Sequence, residues 1–144
     1  MTPVLVTGAS GFVGRALVER LLAEGVPTRA ATRGIAVVPV GAQRVPAPNL
    51  GPDADWRAAL DGVAWGVHLA GRAHVMRDRA ADPLNEFRRV NVDGTLALAR
   101  QAAAAGVRRF VFVSSIKVNG EATAAGRPFT GQDAPAPLDA YGIS

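Results

Sequence analysis

Three glycines set three residues apart, Gly8, Gly11 and Gly14, are the first feature of this chain that could do chemistry. A short apolar run, Val4-Leu5-Val6, leads into them and reads as a buried strand. Behind them, Leu17, Val18, Leu21 and Leu22 recur at helical spacing between Arg15 and Glu24. A strand, a glycine-rich turn and a helix make a cradle for phosphate. In that reading Gly8 takes a turn conformation closed to other residues, Gly11 lets the backbone approach a pyrophosphate, and Gly14 lets the helix pack tightly on the sheet. The N–H groups around Ser10, Phe12 and Val13 then face the anion, with the helix dipole behind them. No Gly-Lys-Ser or Gly-Lys-Thr ending follows, which argues against a P-loop hydrolase.

A second position bears on which dinucleotide would suit. Thr28 to Thr32 reads as the next strand, ending at Thr32 and Arg33. A fold that prefers NAD places an acid there, to accept hydrogen bonds from the ribose 2′-hydroxyl. Here no acid is nearby, and the Arg33 guanidinium can pair with a 2′-phosphate, so the reading leans to NADP over NAD. The alternative is a solvated arginine.

The two histidines offer less. His68 has no second His, Cys or acid at metal-ligand spacing, so it reads as a half-buried strand side chain and no metal site is expected. His74 either lines a substrate mouth or belongs to an ordinary loop. Hydroxyls are better placed. Ser114 and Ser115 end an apolar, β-branched run, and Tyr141 lies near the end of the sequence. Lys117, the only lysine, either touches a substrate phosphate or is a surface residue.

These residues need a frame, and the rest of the sequence supplies one. Gly25 closes the first helix. Residues 35–52 are irregular and Pro-rich, with a short third strand around Gln43–Val45 and a possible one at Val37–Val40. A short helix spans Asp55 to Leu60, with Asp53 or Asp55 as N-cap and Gly62 after its end. Val63 to Ala70 is the fourth strand, running into Gly71. Asp82-Pro83 opens a long helix that ends at Gly106. Asn91-Val92-Asp93-Gly94-Thr95 inside it are poor interior residues, so a local cost or interruption is expected there. Val107 to Ser115 is the fifth strand, and Glu121 to Pro137 is a loop. Strands alternating with helices imply an α/β, Rossmann-type doubly wound parallel sheet of order 3-2-1-4-5. The crevice for ligands lies at the carboxyl ends of strands 1 and 4.

T-G-A-S-G-F-V-G resembles the opening of the extended short-chain dehydrogenase/reductases, which include the nucleotide-sugar epimerases, dehydratases and reductases. H-L-A-G, N-V-D-G-T, S-S-I-K-V-N-G and D-A-Y-G-I-S are similar to further segments of that family. The resemblance implies that Leu69, Ala70 and Gly71 let a nicotinamide ribose lie against the backbone. It implies that Asn91 supports the site and Gly94 permits close packing, the alternative being a kinked helix without a role. It places Ser115 and Tyr141 as the catalytic pair, with Ser114 beside the cofactor. The family's tyrosine has a lysine four residues on, which lowers its pKa so that it can exchange a carbinol proton while hydride moves. The sequence ends at Ser144, so the chain is expected to be an incomplete dinucleotide-binding domain, residues 1–144, that binds cofactor weakly and turns over nothing. Its parent is expected to be an NAD(P)-dependent nucleotide-sugar enzyme of bacterial surface-polysaccharide metabolism, homodimeric when complete. The other readings are a reductase of a steroid- or flavonoid-like ketone and an inactive NADP-binding sensor.

Composition bounds these readings. A length of 144 residues suits one domain with a real core. The absence of cysteine excludes disulfides and thiolate chemistry and fits a reducing, cytoplasmic setting. No apolar run is long enough to span a membrane. The net charge of +4 comes from arginines spread along the chain, so no nucleic-acid partner is expected.

Overall fold

The computed structural model describes residues 2–73 and 81–144. Five parallel strands form one sheet: β1 (Val4–Thr7), β2 (Thr28–Thr32), β3 (Gln43–Pro46), β4 (Trp65–His68) and β5 (Arg109–Phe112). Their order is β3-β2-β1-β4-β5, as the alternation of strand and helix implies. Every residue of β1 is buried, because this central strand is covered on both faces.

Two layers of helix flank the sheet. On one face α1 (Phe12–Ala23) lays Val18 against Val4, Val6 and Ala30. On the other, α2 (Arg57–Leu60) and α4 (Gly94–Ala104) pack Leu60, Leu98 and Ala102 against Leu5, Ala31 and Val45, with Trp56 at the centre. A polar side chain holds this second layer together. Gln101 accepts from the Trp56 N–H at 2.7 Å and donates to the Ala54 carbonyl at 2.7 Å, satisfying a loop that has no ladder of its own.

Several boundaries differ from the sequence reading. The first helix starts at Phe12, not Arg15, because Gly11 already serves as its N-cap. No strand forms at Val37–Val40, where Val37 and Val40 are exposed and only Val38 packs against the core. The short helix opens at Arg57, with Trp56 as its N-cap position, and Asp55 supports it by accepting from the Arg57 N–H at 3.1 Å. Strands β4 and β5 are shorter than expected because each ladder ends where its neighbour does; the last rung is Val113 N–H to the His68 carbonyl at 3.1 Å.

The long helix is interrupted. Asp82 caps α3 (Pro83–Phe87), accepting from the Asn85 N–H at 3.0 Å, with Pro83 at its start. A π-helical segment, Arg88–Asp93, follows before α4 resumes at Gly94. The interruption falls on the stretch whose residue types are costly in a helix, and π-turns of this kind often accompany functional sites. Gly94 also admits a close contact. A Cβ there would stand 2.9 Å from the Gly51 nitrogen.

Candidate active site

The glycine turn leaves β1 and closes on itself. Gly8 has φ +65°, and a Cβ on it would lie 2.9 Å from the Ala70 nitrogen, so the end of β4 presses directly on the turn. Gly11 donates its N–H to the Gly8 carbonyl at 3.0 Å. A Cβ on Gly14 would stand 2.0 Å from the Gly8 oxygen, so the closeness this glycine permits is between helix and turn rather than between helix and sheet. No side chain caps α1 and its first turn carries no acid, which suits an anion at that helix end. Ser10, Phe12 and Val13 are exposed around it. Thr7 pairs with Ala31, which sets Thr32 and Arg33 level with the turn on the neighbouring strand. Thr32 is buried there and Arg33 is exposed.

A cavity of about 340 Å³ opens at the carboxyl edge beside this turn. Leu69, Ala70 and Gly71 line it from the end of β4, Asn91 and Thr95 from the helix, and Ser114 and Ser115 from the end of β5. Tyr141 closes it from α5 (Ala140–Ile143). The structure thus brings together the serine, the tyrosine and the small-residue segment that the sequence places far apart.

Each of these residues has a local reason for its place. Asn91, inside the π-segment, accepts from the Arg72 N–H at 2.7 Å and donates to the Arg72 carbonyl at 3.0 Å and to Ser144 Oγ at 2.9 Å. It ties the loop after β4 to the residues behind Tyr141. Ser115 Oγ accepts from the Lys117 N–H at 3.3 Å and caps a 3-10 turn, Ile116–Val118. Tyr141 stands on a helix capped by Asp139, which accepts from the Gly142 N–H at 2.6 Å, and its ring lies 6.2 Å from that of Phe87. Gly142 lets the two segments meet, since a Cβ on it would fall 2.8 Å from the Lys117 carbonyl.

Lys117 works between these two segments. Its Nζ donates to Glu121 at 2.7 and 2.6 Å and to Asp139 Oδ2 at 2.9 Å, and it does not line the cavity. Its hydrogen bonds to Glu121 and then to Asp139 hold its pKa above the usual lysine value. The Gly142 N–H and then Lys117 hold the Asp139 carboxyl below the ordinary range. The one lysine therefore straps the serine turn to the tyrosine helix.

His68 is fully buried, 1% exposed, rather than half-buried. Its Nδ1 lies 2.6 Å from Thr7 Oγ1 and its Nε2 lies 3.0 Å from Thr95 Oγ1. Burial pushes its pKa down to about 4, so it is neutral at physiological pH. The sequence reading passed over Thr7, Thr95 and Asp139. A hydroxyl at the last position of a wholly apolar strand was the available signal for Thr7; Thr95 had none beyond its place in the costly stretch. His74 lies outside the described residues. Among the described residues no group of three His, Cys, Asp or Glu could hold a metal ion, and no helix is long and apolar enough to cross a membrane.

Comparison with known proteins adds the lineage. UDP-glucose 4-epimerase of Vibrio cholerae is 44% identical over 142 residues, which cover 98% of this chain and 43% of that protein. Among solved structures, a short-chain dehydrogenase/reductase superfamily protein from Agrobacterium tumefaciens with bound NAD superposes with a TM-score of 0.79 at 34% identity, covering 98% of this chain and 41% of that one. MoeE5 in complex with UDP-glucuronic acid and NAD gives a TM-score of 0.79 at 30% identity, with coverage of 98% and 45%. The chain thus spans less than half the length of each. The model of the NAD dependent epimerase/dehydratase family matches residues 4–144, nearly the whole sequence, and the chain belongs to that family.

Proposed function

We propose that this chain is the dinucleotide-binding part of a nucleotide-sugar epimerase, dehydratase or 4-keto-reductase. One observation carries the reading: Ser115 and Tyr141 converge on a single cavity with the Leu69–Gly71 backbone, beside a glycine turn that only close backbone packing explains. The turn fits a dinucleotide, because its helix end is uncapped and free of acids where a pyrophosphate would sit. Gly8, Gly11 and Gly14 with the N–H groups around Ser10, Phe12 and Val13 would hold the phosphates. Leu69 to Gly71, Asn91 and Ser114 would frame the nicotinamide end.

When bound, the cofactor supplies a hydride donor or acceptor. The residues of this chain do the rest. Ser115 orients the substrate oxygen by hydrogen bond, and Tyr141 holds or releases the carbinol proton at its phenolic oxygen. A cation beside the Tyr141 phenol, such as the family's lysine, would assist that proton transfer. The remaining length of such a protein would select the sugar, and α3 with α4 would pair across a homodimer.

Arg33, exposed beside the turn with no acid adjacent to it in sequence, favours NADP. A fluorescence titration with NADPH and NADH side by side tests both statements. Tighter NADPH binding that is lost in Arg33→Ala supports them, tighter NADH binding retires the role of Arg33, and binding of neither sinks the cofactor reading.

A further inference from the structure

The buried Thr7–His68–Thr95 chain fixes a proton at the cavity wall. Thr7 Oγ1 accepts from the Leu69 and Ala70 N–H groups, each at 3.3 Å. A hydroxyl has two lone pairs and one proton. With both lone pairs engaged, Thr7 donates its proton to His68 Nδ1 at 2.6 Å. A neutral imidazole that accepts at Nδ1 carries its hydrogen on Nε2. That hydrogen goes to Thr95 Oγ1 at 3.0 Å. The opposite tautomer would give Thr7 three donors for two lone pairs and leave its own proton unused. Among the described residues, His68 is the one hydrogen-bond partner of the Thr95 hydroxyl, and Thr95 lines the cavity. Its own proton is left to point there.

We propose that Thr95 is a ligand-binding residue of this cavity, its hydroxyl held as a donor by the Thr7–His68 pair and directed at an oxygen acceptor on the nicotinamide-riboside half of the dinucleotide. The assignment rests on the cofactor reading above and deepens it. His68 then has a role that needs no metal and no change of protonation. It sets the direction of a hydrogen bond from beneath the site. Either a ribose hydroxyl or the carboxamide oxygen supplies the required acceptor.

The test compares wild type, Thr95→Val and Thr95→Ser by isothermal titration with NADH, ADP-ribose and ADP. Valine keeps the shape and removes the donor, and serine restores it. Loss of one neutral hydrogen bond predicts NADH affinity about five- to tenfold weaker in Thr95→Val, recovered in Thr95→Ser, with ADP unchanged. ADP-ribose weakened in parallel identifies the ribose as acceptor; ADP-ribose unchanged identifies the carboxamide. Equal NADH affinity in wild type and Thr95→Val overturns the assignment alone, as does an equal loss for ADP, which would mark a structural effect. Binding of neither NADH nor NADPH by wild type overturns the cofactor reading and this one with it. Nitrogen-15 NMR of His68 gives a second readout independent of ligand: hydrogen on Nε2 is expected, and hydrogen on Nδ1 contradicts the chain.

Discussion

An alanine methyl at Gly14 would stand 2.0 Å from the Gly8 oxygen, whereas at Gly25 nothing lies within 4 Å. Gly14 lies in the first turn of α1 and Gly25 just past its end, and they answer to different physics. Gly25 needs only its left-handed backbone, so Gly25→Ala is expected to cost about 1 kcal/mol. Gly14→Ala must move backbone, and a loss near or above the roughly 3 kcal/mol typical of severe overpacking is expected in chemical denaturation. Similar losses at the two sites would contradict the close-packed turn. His68 gives a pH signature. Its pKa is about 4 in the fold against an ordinary value of 6.5. As pH falls, the unfolded chain takes up the proton first, so stability is full above about 6.5 and declines toward 4, by at most roughly 3 kcal/mol. Between pH 6.5 and 5 the wild type should lose stability where His68→Gln does not; parallel curves would refute the buried neutral imidazole.

The elements that carry Ser115 and Tyr141 are short, and their alignment rests on polar ties rather than on area. Asp139→Ala removes both the cap of α5 and the acceptor that ties Lys117 to that helix. Amide exchange at Gly142 and Ile143 should quicken while global stability stays within error, since the ion pair is exposed; unchanged exchange would dismiss the strap. Asn91→Leu removes both hydrogen bonds that the Asn91 amide makes to the Arg72 backbone. A cost of about 1–3 kcal/mol is expected by denaturation, and a neutral outcome would show that water replaces the amide. The sequence showed where the helix would be strained, because Asn, Asp and Gly are poor interior residues, but not that the strain takes the form of a π-segment. That choice depends on what the Asn91 side chain meets across the loop. Lys117 stayed open between two readings for the same reason: its partners Glu121 and Asp139 become neighbours only through the fold.

Across the whole molecule the sheet is covered unevenly. Phe110 packs on the α2–α4 core, while Val111 on the reverse face is 41% exposed beside Trp65 at 45%. Phe110→Ala should therefore cost about 2 kcal/mol or more, and Val111→Lys close to nothing. The strand order and the place of the crevice were readable because period and punctuation are local properties. The Thr7–His68–Thr95 chain was not, since it joins residues that only the parallel register of β1 and β4 sets side by side. The proposed function makes the glycine turn and the Ser115–Tyr141 cavity one dinucleotide site. The most direct test is a two-dimensional amide NMR titration of this chain with NADPH. Saturable shifts at Gly11 to Val13, at Ala70 and Gly71, and at Ser115 are predicted together, with β3 unmoved. Shifts confined to one of these segments, or none that saturate, would contradict it.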